Sequence, residues 1–168
     1  MIDGGQWLVA GGQWPTHAEQ SETAHKLLQQ LVGCYCTIEH EPSGAPYVLE
    51  RPDLKVSISH CREAVAVAIS DKVAVGIDIE SRRKVSRPLM VRVCTAEELA
   101  SIEESDDPEM MFLRFWTRKE AVLKCRHTGI KGFGSMVEAS AADDCEVEEI
   151  ATGMDGVVAA VAYGRSTV

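Results

Sequence analysis

Two carboxylates near the middle of the chain could share one face of a β-strand. In the segment Gly76-Ile77-Asp78-Ile79-Glu80, the side chains of an extended strand alternate between its two faces. Asp78 and Glu80 therefore project together, and the two isoleucines point the other way into a core. Like charges this close are unfavourable unless a cation or a proton lies between them, and Mg²⁺ prefers such oxygen ligands. The segment predicts either a metal site or a solvated strand face.

A second candidate group lies on a predicted helix further along the chain. Trp116, Glu120 and Lys124 are spaced by four residues, so they lie along one stripe of the helix, with Glu120 and Lys124 in the order that favours an ion pair. An exposed pair of this kind contributes only about 0.3–0.5 kcal/mol. Apolar neighbours favour a partly buried, functional pair instead, namely Phe115, Val122 and Leu123.

A third candidate group ends a short alternating segment. The sequence Val-Ser-Ile-Ser-His at 56–60 predicts a strand whose last residues are Ser59 and His60. A histidine at this place can donate a hydrogen bond to a phosphate, and more strongly when its ring is protonated. A purely structural histidine is the alternative.

These groups need helices and strands to position them. Helices are predicted from the cap Thr16 to the stop Gly33, from the cap Thr95, and from Pro108 to a stop at Gly129. Strands are predicted for the segments 34–40, 47–50, 54–59, 64–70, 73–80, 135–140, 145–152 and 157–163.

The order of these elements predicts an α+β fold, because strands and helices do not alternate as in a doubly wound parallel sheet. Asp71 and Lys72 separate two strands by a tight-hairpin spacing, which predicts an antiparallel meander. We expect two similar half-domains, residues 1–72 and 73–168, each a helix packed on a small antiparallel sheet, with the metal site in the second. The repeated Gly-Gly-Gln-Trp at 4–7 and 11–14 predicts a glycine-rich segment that packs two tryptophans.

Taken together, the three candidate groups resemble a known family. The sequences Val-Ser-Ile-Ser-His at 56–60, Gly-Ile-Asp-Ile-Glu at 76–80 and Trp-Thr-Arg-Lys-Glu-Ala-Val-Leu-Lys at 116–124 resemble the three signature blocks of the 4′-phosphopantetheinyl transferases, in their Sfp-type, surfactin-synthetase-activating branch. The third block matches the family pattern at every fixed position, and Ser-Gly-Ala-Pro-Tyr at 43–47 resembles a fourth block. The resemblance implies the pseudo-dimeric fold of that family.

The resemblance implies an enzyme that transfers the phosphopantetheine arm of coenzyme A to a serine of an acyl or peptidyl carrier protein and releases adenosine 3′,5′-bisphosphate. Such carriers serve fatty acid, polyketide and nonribosomal peptide synthesis. Two alternatives stay open: a non-catalytic homologue that binds a carrier protein or coenzyme A, and an unrelated magnesium phosphohydrolase.

The resemblance also assigns catalytic and metal-binding roles. It implies a Mg²⁺ ion held by Asp78, Glu80 and Glu120, which would hold the pyrophosphate and balance the charge that develops in the reaction. Glu120 is the implied general base for the serine proton. Lys124 would contact a phosphate oxygen or stabilise the leaving group.

Coenzyme A contacts are implied for four residues, Ser59, His60, Lys119 and Lys124. The first two would hold its phosphates, and Lys119 would act as a second cation. Glu98 matches a further acidic residue of the family.

The upstream block departs from the family pattern. It usually reads Gly-Lys-Pro, but this chain has Ala45 between the glycine and the proline, so a positive contact near the nucleotide is missing. Four other cations are candidates to replace it: Lys26, Arg51, Lys55 and Arg62.

Charge and composition exclude several partners and locations. A net charge of −9 disfavours nucleic acid and anionic membrane surfaces. Because the sequence shows neither a secretory signal nor an apolar stretch long enough to span a bilayer, we expect a cytoplasmic location. The pseudo-duplicated fold that we expect is a monomer. The six cysteines lack the paired spacing of zinc sites and are expected to be reduced thiols.

The charge is unevenly distributed along the chain. Segment 82–92 carries five cations and no acid, whereas segment 97–109 carries seven acids and no base. Carrier proteins of the resembling family look acidic around their serine, so we expect the basic segment to guide the carrier, with association weakened by salt. A solvated basic helix face is the alternative.

Overall fold

The computed structural model describes residues 4–128 and 133–165. The strands are β1 (Gly5–Gly11), β2 (Ile38–His40), β3 (Pro46–Val48), β4 (Lys55–His60), β5 (Ala64–Ser70), β6 (Val75–Ser81), β7 (Cys145–Ile150) and β8 (Val157–Gly164). The helices are α1 (His17–Val32), α2 (Arg87–Val93), α3 (Ala96–Glu104), α4 (Pro108–Cys125) and α5 (Phe133–Glu138), followed by a 3₁₀ turn at Ala139–Ala141.

The strands form two three-stranded antiparallel sheets and a small hairpin. The first sheet has the order β1-β5-β4, the second has the order β6-β8-β7, and β2 pairs with β3. The predicted mixture of helices with small antiparallel sheets is therefore confirmed. A two-fold relation between two half-domains, with a boundary between residues 72 and 73, stays a prediction.

Alternating side chains place the two sheets face to face. On β5, Ala66 and Ala68 pack in one buried cluster with Ile77 and Ile79 of β6, whereas the opposite face of β5 packs with Leu28 of α1. Residues of β8 likewise alternate between the first sheet and the cluster around α4. The layers are therefore α1, first sheet, second sheet and α4, and the two isoleucines of β6 point into the core as predicted.

The predicted helix starts are confirmed by their capping contacts. The side chain of Thr16 accepts a hydrogen bond from the Glu19 amide, and Thr95 does the same for Glu98. Asp107 caps α4 by accepting from the amide of Met110. At the end of α1, Gly33 has φ 81°, a left-handed conformation that favours glycine. The predicted stop of α4 at Gly129 lies outside the described residues.

Two predictions about the strands are wrong, and one about the N-terminal tryptophans is only partly right. β5 and β6 do not form a hairpin, because both edges of β5 are occupied by β1 and β4, and β6 pairs with β8 instead. The segment 135–140 is helical rather than extended, since residues three apart, Met136 and Ala139, are buried in the same cluster. Of the two tryptophans that the Gly-Gly-Gln-Trp repeat was expected to pack, Trp14 packs against the cluster that contains Leu28, whereas Trp7 on β1 is 39% exposed.

All six cysteines are free thiols, as predicted. Among the helices of the described residues, none is long and apolar enough to cross a membrane.

Candidate active site

Serine side chains join β4 to β6 where the two sheets meet. The hydroxyl of Ser57 accepts a hydrogen bond from the Ile77 amide at 3.0 Å, and the hydroxyl of Ser59 accepts one from the Ile79 amide at 3.3 Å. Both serines are buried. The alternating Val-Ser-Ile-Ser pattern thus gives β4 one apolar face. The serine hydroxyls on its other face accept hydrogen bonds from backbone amides of β6.

Asp78 lies at the centre of the candidate site. Its Oδ1 atom accepts hydrogen bonds from the Ser59 hydroxyl at 2.8 Å and from the Lys124 ammonium at 2.7 Å. Its Oδ2 atom is buried and has no hydrogen-bond partner among the described residues. The structure therefore brings two predicted site residues, Ser59 of β4 and Lys124 of α4, to the carboxylate of a third, Asp78 of β6.

Gly76 permits the close packing of α4 on β6 that brings Lys124 to Asp78. A Cβ atom at Gly76 would lie 2.0 Å from the carbonyl oxygen of Ala121 and 2.4 Å from the amide nitrogen of Cys125. With the helix this close, Lys124 also donates to the carbonyl oxygen of Ile77 at 3.1 Å. The site therefore requires a glycine at the start of the Gly-Ile-Asp-Ile-Glu segment. Only the two acids of this segment were selected from the sequence, and that requirement was not predicted.

Glu120 lies on α4 in the electrostatic field of both strand carboxylates. Burial raises the pKa of Glu120 to about 7, and the charges of Asp78 and Glu80 act in the same direction, while Lys124 opposes them. Glu80 itself pairs with Arg83 at 3.3 Å. The guanidinium of Arg83 also lies over the ring of Trp116, 5.9 Å from its centre, in a cation–π contact.

The donor set fits a hard divalent cation, although the carboxylates are not closed around one. In the described part of the chain, no three His, Cys, Asp or Glu side chains are grouped so that they could hold a metal ion. The buried Asp78 oxygen nevertheless has no donor, and the charges of Asp78 and Glu80 add to the effect of burial in raising the pKa of Glu120. A divalent cation that prefers oxygen ligands would stabilise both carboxylates.

His60 lies beside this group and borders a cleft of about 340 Å³. Its Nε2 atom is 3.1 Å from the Nε2 atom of His17 on α1. Ser59 and Lys124 line the same cleft, as do Gly44 and Pro46 of the upstream block. The structure thus brings His60 together with Ser59 and Lys124. It also places His17 in this cleft, a residue that belongs to no motif and was not predicted from the sequence.

None of the four cations considered as replacements at Ala45 is among the described residues that line this cleft. Lys26 pairs with Glu22, and Arg51 pairs with Asp53, each at 2.6 Å. The expectation that one of the four supplies the missing positive contact is therefore not supported by the structure.

Lys119 lies apart from the other candidates. Its ammonium is buried and donates to Glu98 and to the carbonyl oxygen of Val93. Lys119 and Glu98 line a separate cavity of about 630 Å³. Although this cavity is the larger of the two, it does not include Asp78, so the hydrogen bonds rather than the volume identify the candidate site.

The basic segment 82–92 is partly neutralised by the acidic segment that follows it. Arg82 pairs with Asp107, and Arg87 pairs with Glu103. The two charge blocks of the sequence therefore meet in the fold, and the positive surface is smaller than the sequence suggests. Val91 lies within this segment and is 52% exposed.

Comparison with known proteins gives consistent matches. A family model described as the 4′-phosphopantetheinyl transferase superfamily matches residues 74–157, half of the chain. The chain is similar to the 4′-phosphopantetheinyl transferase psf-1 of Bacillus pumilus, with 31% identity over 94 residues, covering 55% of this chain and 40% of that protein. It is also similar to the 4′-phosphopantetheinyl transferase HetI of Nostoc sp., with 27% identity over 131 residues, covering 70% of this chain and 55% of that protein. The chain thus spans about half the length of the curated relatives it matches.

Proposed function

Since the chain belongs to the 4′-phosphopantetheinyl transferase superfamily, we propose that it transfers the 4′-phosphopantetheine moiety of coenzyme A to a serine of an acyl or peptidyl carrier protein. The observation that carries the proposal is the convergence of Ser59 from β4 and Lys124 from α4 on the buried carboxylate of Asp78 on β6. The whole reaction is proposed rather than transferred from the relatives, because the chain aligns with only part of each of them.

The proposed reaction is a substitution at phosphorus. The serine oxygen of the carrier forms a bond to the pyrophosphate phosphorus on the pantetheine side, and the bond from that phosphorus to the bridging oxygen breaks. Adenosine 3′,5′-bisphosphate leaves with the electron pair, and the serine proton goes to a base. Catalysis of this kind depends mainly on positioning and on stabilising the charge that develops on the oxygens.

Glu120 is the proposed base. In the metal-free chain, burial raises the pKa of Glu120 to about 7. A bound cation would lower it, so that the carboxylate is charged at neutral pH and can accept the serine proton.

Asp78, Glu80 and Glu120 are the residues that would hold a Mg²⁺ ion. When bound, such an ion supplies positive charge to the pyrophosphate oxygens. The unpartnered Oδ2 atom of Asp78 supports this assignment, because a buried carboxylate oxygen is costly without a donor or a cation.

Lys124 is the proposed phosphate contact. Its ammonium lies on Asp78 at 2.7 Å and also borders the cleft that His60 lines. It can therefore orient the carboxylate and donate to a phosphate oxygen in the cleft. We do not assign Lys119 to coenzyme A, because its ammonium is buried against Glu98 and Val93.

The carrier protein is proposed to dock on the basic segment 82–92. Exposed Val91 lies among the cations of this segment, an arrangement that suits an acidic surface with an apolar centre. The six free thiols support a reducing compartment such as the cytoplasm.

The test is to incubate the chain with coenzyme A, Mg²⁺ and apo carrier proteins, and to measure the mass of each carrier. Transfer predicts a gain of one phosphopantetheine group. An unchanged carrier with retained coenzyme A binding would identify a binding homologue, and nucleotide breakdown without a carrier would identify a phosphohydrolase.

The Glu120→Gln variant should give no mass gain, because glutamine neither accepts the serine proton nor supplies a charged ligand. Glu109→Gln is the matched control, since Glu109 lies in the first turn of the same helix and has no assigned role. Full transfer by the Glu120→Gln variant would contradict the proposal.

A further inference from the structure

Histidines from three elements border the cleft beside Asp78. His17 lies on α1, His40 on β2 and His60 on β4. The rings of His17 and His60 meet at 84°, with their centres 4.7 Å apart and their Nε2 atoms 3.1 Å apart. At this distance one nitrogen can donate to the other, because a neutral imidazole carries a single N–H, and the tautomer decides which of the two donates. A single proton between the two facing nitrogens satisfies both.

The surroundings of His60 disfavour its charged form in the free protein. Burial lowers the pKa of His60, and the facing His17 of α1 and Lys124 of α4 lower it further, while Asp78 of β6 acts in the opposite direction. The pKa of His25, on α1, is also lowered, first by burial and then by the charge of His40. Positive charge on His60 is therefore disfavoured in the absence of a bound anion.

An anion would change this balance. If the second facing nitrogen also binds a proton, the two N–H groups repel and separate, and both can then donate to one oxygen placed between them. The described lining of the cleft contains one lysine, Lys124, and no arginine. That lysine is also paired with Asp78, so the histidines are a further source of positive charge for a phosphate in the cleft.

This inference rests on the proposed function. We propose that His17 is a further substrate-binding residue: His17 and His60 together hold one phosphate group of coenzyme A between their Nε2 atoms, and both carry a proton there in the complex. The pair replaces the positive contact that Ala45 cannot make. Binding of coenzyme A therefore takes up a proton from solvent, and affinity falls as the pH rises.

Calorimetry of the full chain with coenzyme A tests the inference. The titrations contain a chelator, so that no metal ion bridges the two rings, and use two buffers of different ionisation enthalpy at about pH 6 and at about pH 8, on either side of the ordinary histidine pKa. We expect uptake of about one proton per coenzyme A, and a Kd that rises up to about tenfold per pH unit.

Two substitutions at His17 separate charge from structure. His17→Gln should weaken binding at the lower pH and remove most of the proton uptake. His17→Lys carries its charge throughout this range, so it should bind coenzyme A more tightly than the wild type at the higher pH, with a flatter pH profile. His17 is exposed at the start of α1, so neither change removes a core contact.

His127→Asn is the matched control. His127 is exposed, does not line this cleft and has φ 52°, a conformation that asparagine tolerates. This variant should bind as the wild type does.

Wild-type affinity, proton uptake and pH dependence in the His17→Gln variant would overturn the inference. The carrier mass assay keeps this result distinct from a failure of the proposed function. If coenzyme A binds with proton uptake but no carrier is modified, the proposed function fails and the His17–His60 site stands. If carriers are modified but His17→Gln binds coenzyme A normally, the proposed function stands and the His17–His60 site fails.

Discussion

Asp78 is the residue at which strands β4 and β6 and helix α4 meet through side chains. Its two oxygens differ: Oδ1 has two donors, and Oδ2 has none among the described residues. Leaving a buried polar group without a partner costs on the order of 1–3 kcal/mol. The unpartnered Oδ2 atom therefore lowers the stability of the unliganded protein but favours binding of a cation. This is a property expected of a ligand-binding residue.

Replacing Lys124 by glutamine should keep a hydrogen-bond donor beside Asp78 but remove the charge. Since losing one preorganised charged donor costs about 10²–10³-fold in kcat, transfer should slow by that order. Single-turnover measurements of carrier mass would check it, with Lys26→Gln as the control, because Lys26 is an exposed helical lysine in an ordinary ion pair. Wild-type kcat in the Lys124→Gln variant would contradict its role.

The raised pKa of Glu120 predicts how the metal-free protein responds to pH. The folded chain holds this proton up to about pH 7, whereas the unfolded chain releases it near the ordinary glutamate value of about 4.3. Between these values the folded state binds more protons, so the contribution of Glu120 to the free energy of unfolding falls as the pH rises.

Glu120→Gln should remove this pH dependence. Urea denaturation in chelator should show the variant more stable than the wild type above about pH 7, with a smaller difference near pH 5. A difference between the two proteins that does not change with pH would show that Glu120 titrates normally.

At the scale of elements, the site depends on how closely α4 approaches β6. Gly76→Ala places a methyl group 2.0 Å from the Ala121 carbonyl oxygen, so the helix must move away and carry Lys124 from Asp78. Overpacking of this kind costs about 1–3 kcal/mol, and coenzyme A binding should weaken as well.

Thermal unfolding and calorimetry would check the Gly76→Ala prediction. Gly134→Ala in α5 is the control, because nothing in the described structure lies within 4 Å of a Cβ atom there. Equal melting temperatures for the two variants would contradict the requirement for close packing.

Local sequence patterns predicted the features that depend on interactions between residues near one another in the chain. The period-two alternation of 76–80 gave the correct faces, and the caps Thr16, Thr95 and Asp107 gave the correct helix starts. The antiparallel pairing of consecutive strands β4 and β5 agrees with the predicted meander. The pairing of β5 with β1 and of β6 with β8 could not be predicted, because these partners are distant in the chain. β1 was missed because its Gly-Gln-Trp start lacks the β-branched residues typical of strands.

The same limit explains the site. Asp78 and Lys124 could be selected from motif spacing, but their direct ion pair depends on packing across Gly76. His17 carries no motif, and only the fold brings it to His60. Lys119 shares a motif with Glu120, yet adjacent helical residues face different directions, which is why it contacts Glu98 instead.

At the scale of the whole molecule, local charge and total charge act in opposite directions. The net charge of −9 repels an acidic partner, but charges are screened beyond about 8 Å at physiological ionic strength. The basic segment can therefore still attract an acidic carrier, even with Arg82 and Arg87 paired to acids.

Val91→Asp should weaken carrier docking without changing coenzyme A affinity. It places a negative charge in the exposed apolar centre of the basic segment, and we expect KM for the carrier to rise about tenfold, equivalent to about 1.4 kcal/mol. Leu49→Asp is the matched control, because Leu49 is also 52% exposed but lies after β3. If both variants show the same KM, the carrier docks elsewhere.

We propose that Asp78 and Glu80 of β6 and Glu120 of α4 together hold one divalent ion. Anomalous diffraction from a crystal of the chain with Mn²⁺ and coenzyme A would locate that ion. We expect one anomalous peak within coordination distance of all three carboxylates, close to the 2.0–2.1 Å or so that Mg²⁺ requires, and in contact with the pyrophosphate. A peak that leaves Glu120 uncoordinated, or one located away from Asp78, would contradict it.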